Sequence, residues 1–145
     1  MTRIIRIAVG SLIAAGLTFA SANAATHKLK ATLNAASEVP VNTSTGKGMA
    51  EVTVDDATKE ISWKVTFEGL TGPGTASHIH GPAAPGTNAG VIQALGAKGA
   101  PVTSPLEGKA TLTDAQIADI LAGKTYVNVH TDMNKGGEIR GQLMP

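Results

Sequence analysis

The sequence has no cysteine and few aromatic residues among its 145 positions. The absence of cysteine excludes disulfide bonds, thiolate catalysis and all-cysteine metal sites, so the fold depends on burial of apolar side chains. After residue 24 the aromatic residues are Trp63, Phe67 and Tyr126. Three rings make a poor stacking platform for sugars or single-stranded nucleic acids, which argues against both classes of ligand.

The sequence also lacks an apolar run long enough to cross a bilayer, which takes roughly 20 residues. The longest run, residues 7–19, is shorter than this and contains glycine, serine and threonine. It follows two basic residues, Arg3 and Arg6. It precedes Ala22 and Ala24, which stand at the small-residue positions that a signal peptidase reads. This order of a basic start, an apolar run and small residues is typical of a secretory signal.

We therefore interpret residues 1–24 as a cleavable signal peptide, cut after Ala24, and residues 25–145 as one periplasmic or secreted domain with no membrane span after cleavage. The formal net charge of the whole chain is +1 and becomes slightly negative once the two arginines of the signal are removed. A nearly neutral domain gives no reason to expect nucleic acid or an anionic membrane as partner. The expected partner is an unidentified protein or another component of the cell envelope.

Alternation of apolar and polar residues with period two predicts antiparallel strands along most of the domain. The pattern is clearest at residues 50–54 and 61–67, which flank a turn at 56–59 and predict a hairpin with one apolar and one polar face. Between residues 71 and 105 glycine and proline are frequent, which predicts mostly loop. Further strands are predicted at residues 27–34, 77–80, 91–94, 107–112, 126–130 and 138–143.

One short helix is predicted after residue 112. Thr113 and Gln116 have the spacing of a capping box, residues 117–121 carry an apolar stripe, and Gly123 suits the end of the helix. Many short strands with one helix predict a mainly β fold. The expected architecture is an antiparallel Greek-key-like β-sandwich with one short helix.

Three histidines lie on the polar side of predicted strands. His78 and His80 are two residues apart, so their imidazoles point to one face while Ile79 points to the core. In residues 126–130 the valines take the core positions, which leaves His130 on the polar face. If the two strands are neighbours, the three imidazoles converge, and imidazole nitrogens are typical ligands of copper and zinc. The alternative is that these histidines hydrogen-bond loop backbone and hold no metal.

Polar residues near the histidines are candidates to support such a site. Glu138 or Asp132 would orient a ligand by hydrogen bonding, and Asn128 shares the face of His130. Arg140, the one arginine after residue 6, is expected to pair with a carboxylate, Glu138 or another, and so to lock the final hairpin. The alternative for Arg140 is to guide an anion toward the histidine face.

His27 is a candidate for a separate site. If the mature chain begins at Ala25, its amine, two amide nitrogens and the imidazole at position three match a square-planar site for Cu(II) or Ni(II). The alternative is an ordinary histidine near a frayed terminus. A cut one residue away would abolish this site.

Several segments resemble the CHRD domain, a module first described in chordin and widespread in bacterial exported proteins. They are LNAASEVP at 33–40, HIHGPA at 78–83, YVNVHT at 126–131 and GEIRGQL at 137–143. The resemblance covers nearly all of residues 31–143. It implies an extracytoplasmic β-sandwich and does not imply an activity.

The histidine pattern is also similar to that of copper-zinc superoxide dismutases, where His78, His80 and His130 would match three copper ligands. The sequence lacks that family's second histidine cluster with an aspartate, its disulfide cysteines and a clear fourth copper histidine. Three hypotheses follow: an exported module that binds copper or zinc, a structural or adhesive envelope module without metal, and a dismutase-like oxidoreductase. We favour binding over catalysis, since no nucleophile elbow or phosphate-loop motif occurs.

Overall fold

Eight antiparallel strands and one α-helix build the part of the chain that the structure, a computed structural model, describes, residues 25–145. The predicted signal peptide, residues 1–24, lies outside the described residues. A single 3-10 turn, Ala35–Ser37, follows the first strand. The elements are β1 Thr26–Asn34, β2 Lys47–Asp55, β3 Glu60–Glu68, β4 Gly74–His80, β5 Val91–Ala94, β6 Leu106–Thr111, α1 Asp114–Leu121, β7 Tyr126–Thr131 and β8 Ile139–Gln142.

The period-two pattern places the predicted apolar residues in the core. In the β2–β3 hairpin Val52 pairs with Trp63, and both side chains are buried. On the opposite face, lysines and glutamates pair across neighbouring strands, as in Lys30–Glu51 at 2.8 Å. These charged side chains are largely exposed, so each ion pair contributes little to stability. The alternation therefore separates one buried face from one solvated face, as predicted.

The strands form one hydrogen-bonded sheet in the order β5-β4-β7-β8-β1-β2-β3-β6, curled into a half-barrel. Its two halves meet at β1, which pairs with β2 along its whole length on one edge and, on the other, with β8 at Asn34 and Arg140. The apolar faces of both halves then share one core. The core draws Leu29, Val52 and Trp63 from one half and Ile79, Val127 and Ile139 from the other. The predicted class, mainly antiparallel β with one short helix, is confirmed, and the two layers of the expected sandwich are continuous through the β1–β8 contact.

Helix α1 begins at the predicted cap. The Thr113 side chain accepts a hydrogen bond from the backbone of Gln116, and the Gln116 side chain bonds back to the backbone of Thr113. Ile117 and Ile120 are buried against the core, and Gly123 has a φ of 69°, the left-handed conformation that commonly ends a helix. No helix within residues 25–145 has the length and the apolar character needed to span a membrane.

The polar face of β4, β7 and β8 is covered, which the alternation alone did not predict. Asn128, Glu138 and Arg140 point away from the core, yet each is at most 2% exposed. The loop between β4 and β5, residues 81–90, lies over Arg140, and the segment between β1 and β2 contacts Glu138. This face is therefore a second, polar interior, and the histidines lie in it.

Candidate metal centre

The pairing of β4 with β7 brings the two predicted histidine groups together. In the β4–β7 ladder His78 lies opposite Asn128, and Ala76 lies opposite His130. His130 is therefore two residues along β7 from the partner of His78, on the same face of the sheet. Nδ1 of His78 is 3.1 Å from Nε2 of His130. One nitrogen from each of His78, His80 and His130 can be chosen so that all three lie within 4.8 Å of one another. The sequence predicted that the three imidazoles would converge if the two strands were neighbours. The strands are neighbours, and the imidazoles lie together.

Two of the rings are held by backbone carbonyls. Nδ1 of His80 is 2.9 Å from the carbonyl oxygen of Ala89, and Nδ1 of His130 is 2.9 Å from that of Lys135. Because a carbonyl oxygen only accepts, Nδ1 carries the hydrogen in both rings and Nε2 keeps its lone pair. In His80 this Nε2 is buried and has no hydrogen-bond partner in the described domain. The lone pair on Nε2 of His80 is therefore free, whereas that of His130 faces Nδ1 of His78.

All three imidazoles are held in the neutral form. Burial, together with the neighbouring His130 and His80, lowers the pKa of His78 to about 4. Burial also lowers the pKa of His80 and of His130, against the opposing effect of the carbonyls of Ala89 and Lys135 and, at His80, of the Asn128 side chain. Neutral imidazole is the form that binds a metal. At neutral pH the cluster is therefore ready to accept a cation without first losing protons.

The spacing suits a single transition-metal ion. Two nitrogens bound to one tetrahedral zinc at about 2.0–2.1 Å lie roughly 3.3 Å apart. The His78–His130 distance of 3.1 Å is close to this value, and His80 offers a nitrogen within 4.8 Å of both. Within residues 25–145 this is the one group of three or more histidine or acidic residues with metal-binding geometry. The described domain thus has no second cluster like the zinc site of the dismutases.

The ring of Tyr126 links His80 to Arg140. The His80 and Tyr126 rings are stacked, 4.8 Å apart and within 3° of parallel, and the Arg140 guanidinium lies 3.3 Å from the centroid of the tyrosine ring. Such contacts hold planar groups in a fixed orientation. The Tyr126 hydroxyl accepts a hydrogen bond from the amide of Ala89 at 3.2 Å. Tyr126 therefore packs His80 and also fixes the peptide that holds it.

The residues expected to support the site divide into two groups. Asn128 lies between the histidines in the strand register, and its amide oxygen is buried without a partner in the described chain. Glu138 instead accepts hydrogen bonds from Ser44 and Thr71, each at 2.7 Å, and bonds no histidine among residues 25–145. Asp132 is exposed in the turn after β7. Glu138 thus braces loops beside the site and does not orient a histidine.

Arg140 forms no direct ion pair in the described residues, although its charge lowers the pKa of the Glu38 carboxyl. In the described residues no carboxylate oxygen lies within 4.0 Å of its guanidinium. Its donors go to the side-chain oxygen of Asn88 at 2.8 Å and to the carbonyl of Thr87. The reason is the loop of residues 81–90, which covers β8 and supplies neutral acceptors. Residues 81–90 have no periodic pattern from which that cover could be predicted.

His27 lies apart from the other three histidines. Its Nε2 is 3.4 Å from a carboxylate oxygen of Asp56, and its backbone is paired with Val54 in the β1–β2 ladder, next to the Thr26–Asp55 pair. A terminal square-planar site would use the amide nitrogens of this paired segment as ligands. Formation of that site would therefore compete with the start of β1.

Sequence reasoning missed the carbonyls of Ala89 and Lys135, which select the nitrogen that each histidine presents. No side-chain pattern marks a carbonyl as an acceptor, so this part of the site follows from the loop conformation alone. The one available signal is the position of both carbonyls in glycine-containing loops next to histidine strands.

The family model described as CHRD domain matches residues 29–143, as the resemblance predicted. The match includes both histidine strands and the loop of residues 81–90. No curated protein and no solved structure matches the chain.

Proposed function

The chain belongs to the CHRD domain family, and we propose that it is an exported binding module that holds one copper or zinc ion between His78, His80 and His130. The observation that carries the proposal is the Nε2 of His80, which is buried without a hydrogen-bond partner in residues 25–145. Buried polar atoms are nearly always paired, because leaving one unpaired costs free energy. An ion at the centre of the cluster satisfies this atom and takes the place of the His78 hydrogen at Nε2 of His130.

Copper and zinc fit this donor set better than calcium or magnesium do. Three neutral imidazoles provide nitrogen ligands, which zinc and copper prefer, whereas the harder ions prefer oxygen. Three protein ligands leave a further position for water or for a donor atom from a partner. A binding module would use that position for recognition.

A second candidate function is a structural envelope module in which the histidines hold loops and bind no metal. The hydrogen bonds from His80 to Ala89 and from His130 to Lys135 favour it, because each connects a strand to a loop. Both functions use these two residues, so substitution of either one changes loop anchoring and metal binding together.

His78 separates the two candidates. In the described residues its hydrogen bonding is confined to His130, and it holds no loop carbonyl. Substitution of His78 therefore removes a metal ligand and leaves both loop anchors in place. His27 provides the matched control, since it is the remaining histidine and lies outside the cluster.

The experiment is a calorimetric titration of the mature protein with Zn²⁺ and, separately, with Cu²⁺. For Zn²⁺ we expect one ion per chain, the same affinity in His27→Ala, and an affinity lower by about tenfold or more in His78→Ala. For Cu²⁺ the His78→Ala comparison is made in the His27→Ala background, so that the candidate site at the mature N-terminus does not contribute. The thermal stability of metal-free His78→Ala should remain close to that of the wild type. Equal affinity in His78→Ala and wild type would overturn the metal site in favour of the structural module.

Export is tested independently of the metal. The mass of the protein recovered from outside the cytoplasm should correspond to a chain that begins at Ala25. Recovery of the chain only inside the cell, with residues 1–24 attached, would contradict export and leave the metal proposal unaffected.

A further inference from the structure

Arg140 is a buried cation, 2% exposed, without a carboxylate partner within 4.0 Å in the described domain. Burial of a charge in this way costs free energy, so its hydrogen bonds carry weight. It projects from β8 into the loop of residues 81–90 and donates to the side chain of Asn88 and to the carbonyl of Thr87. The planar guanidinium thus fixes two consecutive residues of this loop.

The next residue of the loop, Ala89, holds His80. Its carbonyl accepts the Nδ1 hydrogen of the imidazole at 2.9 Å, and its amide donates to the hydroxyl of Tyr126 at 3.2 Å. The base of the loop is closed by a hydrogen bond from the amide of Gly81 to the carbonyl of Gly90 at 3.1 Å. Ala89, whose carbonyl orients His80, is therefore held directly by Tyr126 and, through the two residues before it, by Arg140.

The orientation of the Ala89 carbonyl determines which nitrogen of His80 is free. With the carbonyl in place, the hydrogen stays on Nδ1, and the lone pair of the buried Nε2 is left for a ligand. Without it, the ring can rotate or carry its hydrogen on Nε2, and a protonated nitrogen cannot bind a metal. Partners that fix the tautomer of a liganding histidine typically change metal affinity 10–100-fold.

We infer that Arg140 is a positioning residue for His80, acting through Thr87, Asn88 and Ala89 to keep the lone pair of Nε2 directed into the histidine cluster. Its effect on metal affinity rests on the proposed function. Its effect on the His80 tautomer does not, because the hydrogen bonds that carry the inference are present in the metal-free protein.

The experiment compares Arg140→Met with wild type. Methionine keeps apolar contact with the Tyr126 ring and removes every donor to the loop. The matched control is Thr71→Val, which removes a hydrogen bond to Glu138 from the loop between β3 and β4 and leaves residues 81–90 untouched. The readout is the long-range ¹H–¹⁵N NMR spectrum of the histidine rings in the metal-free mature protein, followed by zinc titration of each variant.

We expect a single Nδ1–H tautomer for His80 in wild type and in Thr71→Val, and a mixture of tautomers in Arg140→Met. Zinc affinity should fall about 10–100-fold in Arg140→Met and stay unchanged in the control. If Arg140→Met does not fold, Asn88→Ala removes one acceptor of Arg140 at an exposed loop position and should shift the tautomer in the same direction.

A folded Arg140→Met, or failing that Asn88→Ala, with His80 entirely in the Nδ1–H form would overturn the inference. A tautomer shift in a protein that binds no metal would support the positioning role and overturn the metal site. The two proposals therefore fail separately.

Discussion

Nδ1 of His78 lies 3.1 Å from Nε2 of His130, although the two residues are 52 positions apart in the chain. Since the hydrogen of His130 is on Nδ1, where it bonds to the carbonyl of Lys135, the Nε2 of His130 can only accept. His78 must then donate from Nδ1. The metal-free cluster thus holds a hydrogen at a place where a metal ion needs a lone pair.

Zinc binding should therefore reverse the tautomer of His78. Coordination through Nδ1 displaces the hydrogen to Nε2, whereas His80 and His130 keep their hydrogens on Nδ1. Ring ¹⁵N shifts of the zinc-saturated protein measure this directly. A zinc-bound protein in which His78 still carries its hydrogen on Nδ1 would show that the ion lies elsewhere.

Metal should also stabilise the folded domain. At a free zinc concentration of 100 times Kd, a site present only in the native state adds about 2.7 kcal/mol to the free energy of unfolding. For a domain of this size the melting temperature rises on the order of 10 °C. His130→Ala should lose this rise entirely, and it should also melt at a lower temperature without metal because it loses the bond to Lys135. Calorimetric melting with and without zinc measures both effects, with His27→Ala as the control that keeps the rise.

Glu138 should make the domain sensitive to acid. Although its burial alone would raise the pKa, hydrogen bonds from Thr131, Thr71 and Ser44 hold the pKa at about 2. Because the pKa in the folded domain is below the unfolded value of 4.5, ionised Glu138 stabilises the fold. This stabilisation is complete above pH 4.5 and is lost as the pH falls through 2. The shift corresponds to roughly 3 kcal/mol.

Urea unfolding of wild type and Glu138→Gln between pH 7 and pH 2 measures this contribution. At pH 7 the free energy of unfolding of Glu138→Gln should be lower than that of wild type by up to roughly 3 kcal/mol. This difference between the two proteins should shrink as the pH falls toward 2. If the difference in the free energy of unfolding stayed constant over that range, the hydroxyl groups would not be stabilising the charge of the carboxylate.

The alternation of side chains predicted the strands and the core because it records which face each residue occupies. Val52 and Trp63 were placed correctly for this reason, and the local turn between them fixed their pairing. Alternation does not indicate which distant strand lies alongside a given strand. The β4–β7 pairing, which brings His78 to His130, could therefore not be predicted from the sequence.

The same limit applies to the polar face of β8. Its polarity was predicted correctly, but the burial of Arg140 depends on a loop whose glycines and prolines carry no period. For the same reason, the carbonyl of Ala89 could not be recognised as the group that orients His80. In this domain the sequence predicts the metal-ligand candidates well, whereas the groups that position them depend on loop conformation.

Glu38 should make the domain less stable at alkaline pH. It is 3% exposed, one of its oxygens has no partner in residues 25–145, and burial raises its pKa to about 7 against the lowering effect of Arg140. A raised pKa gives stability that is complete below the unfolded value of 4.5 and is lost as the pH rises through 7. Glu38→Gln should therefore gain up to roughly 3 kcal/mol over wild type between pH 5 and pH 9. Urea unfolding measures the gain, and exposed Glu107→Gln should show no comparable pH dependence.

The contact between β1 and β8 should tolerate no side chain at Gly141. A Cβ at this position would collide with the carbonyl oxygen of Thr32 in β1, where the two halves of the sheet meet. Gly141→Ala should therefore cost about 1–3 kcal/mol of unfolding free energy or more, because the collision is with backbone and not with a flexible side chain. Gly136→Ala is the control, since a Cβ there meets nothing within 4 Å. Both histidine strands lie on the same side of this contact in the strand order, so zinc affinity should persist in folded Gly141→Ala. Equal urea midpoints for the two variants would mean that β8 can move away from β1 at little cost, and that the halves are held together by the shared core alone.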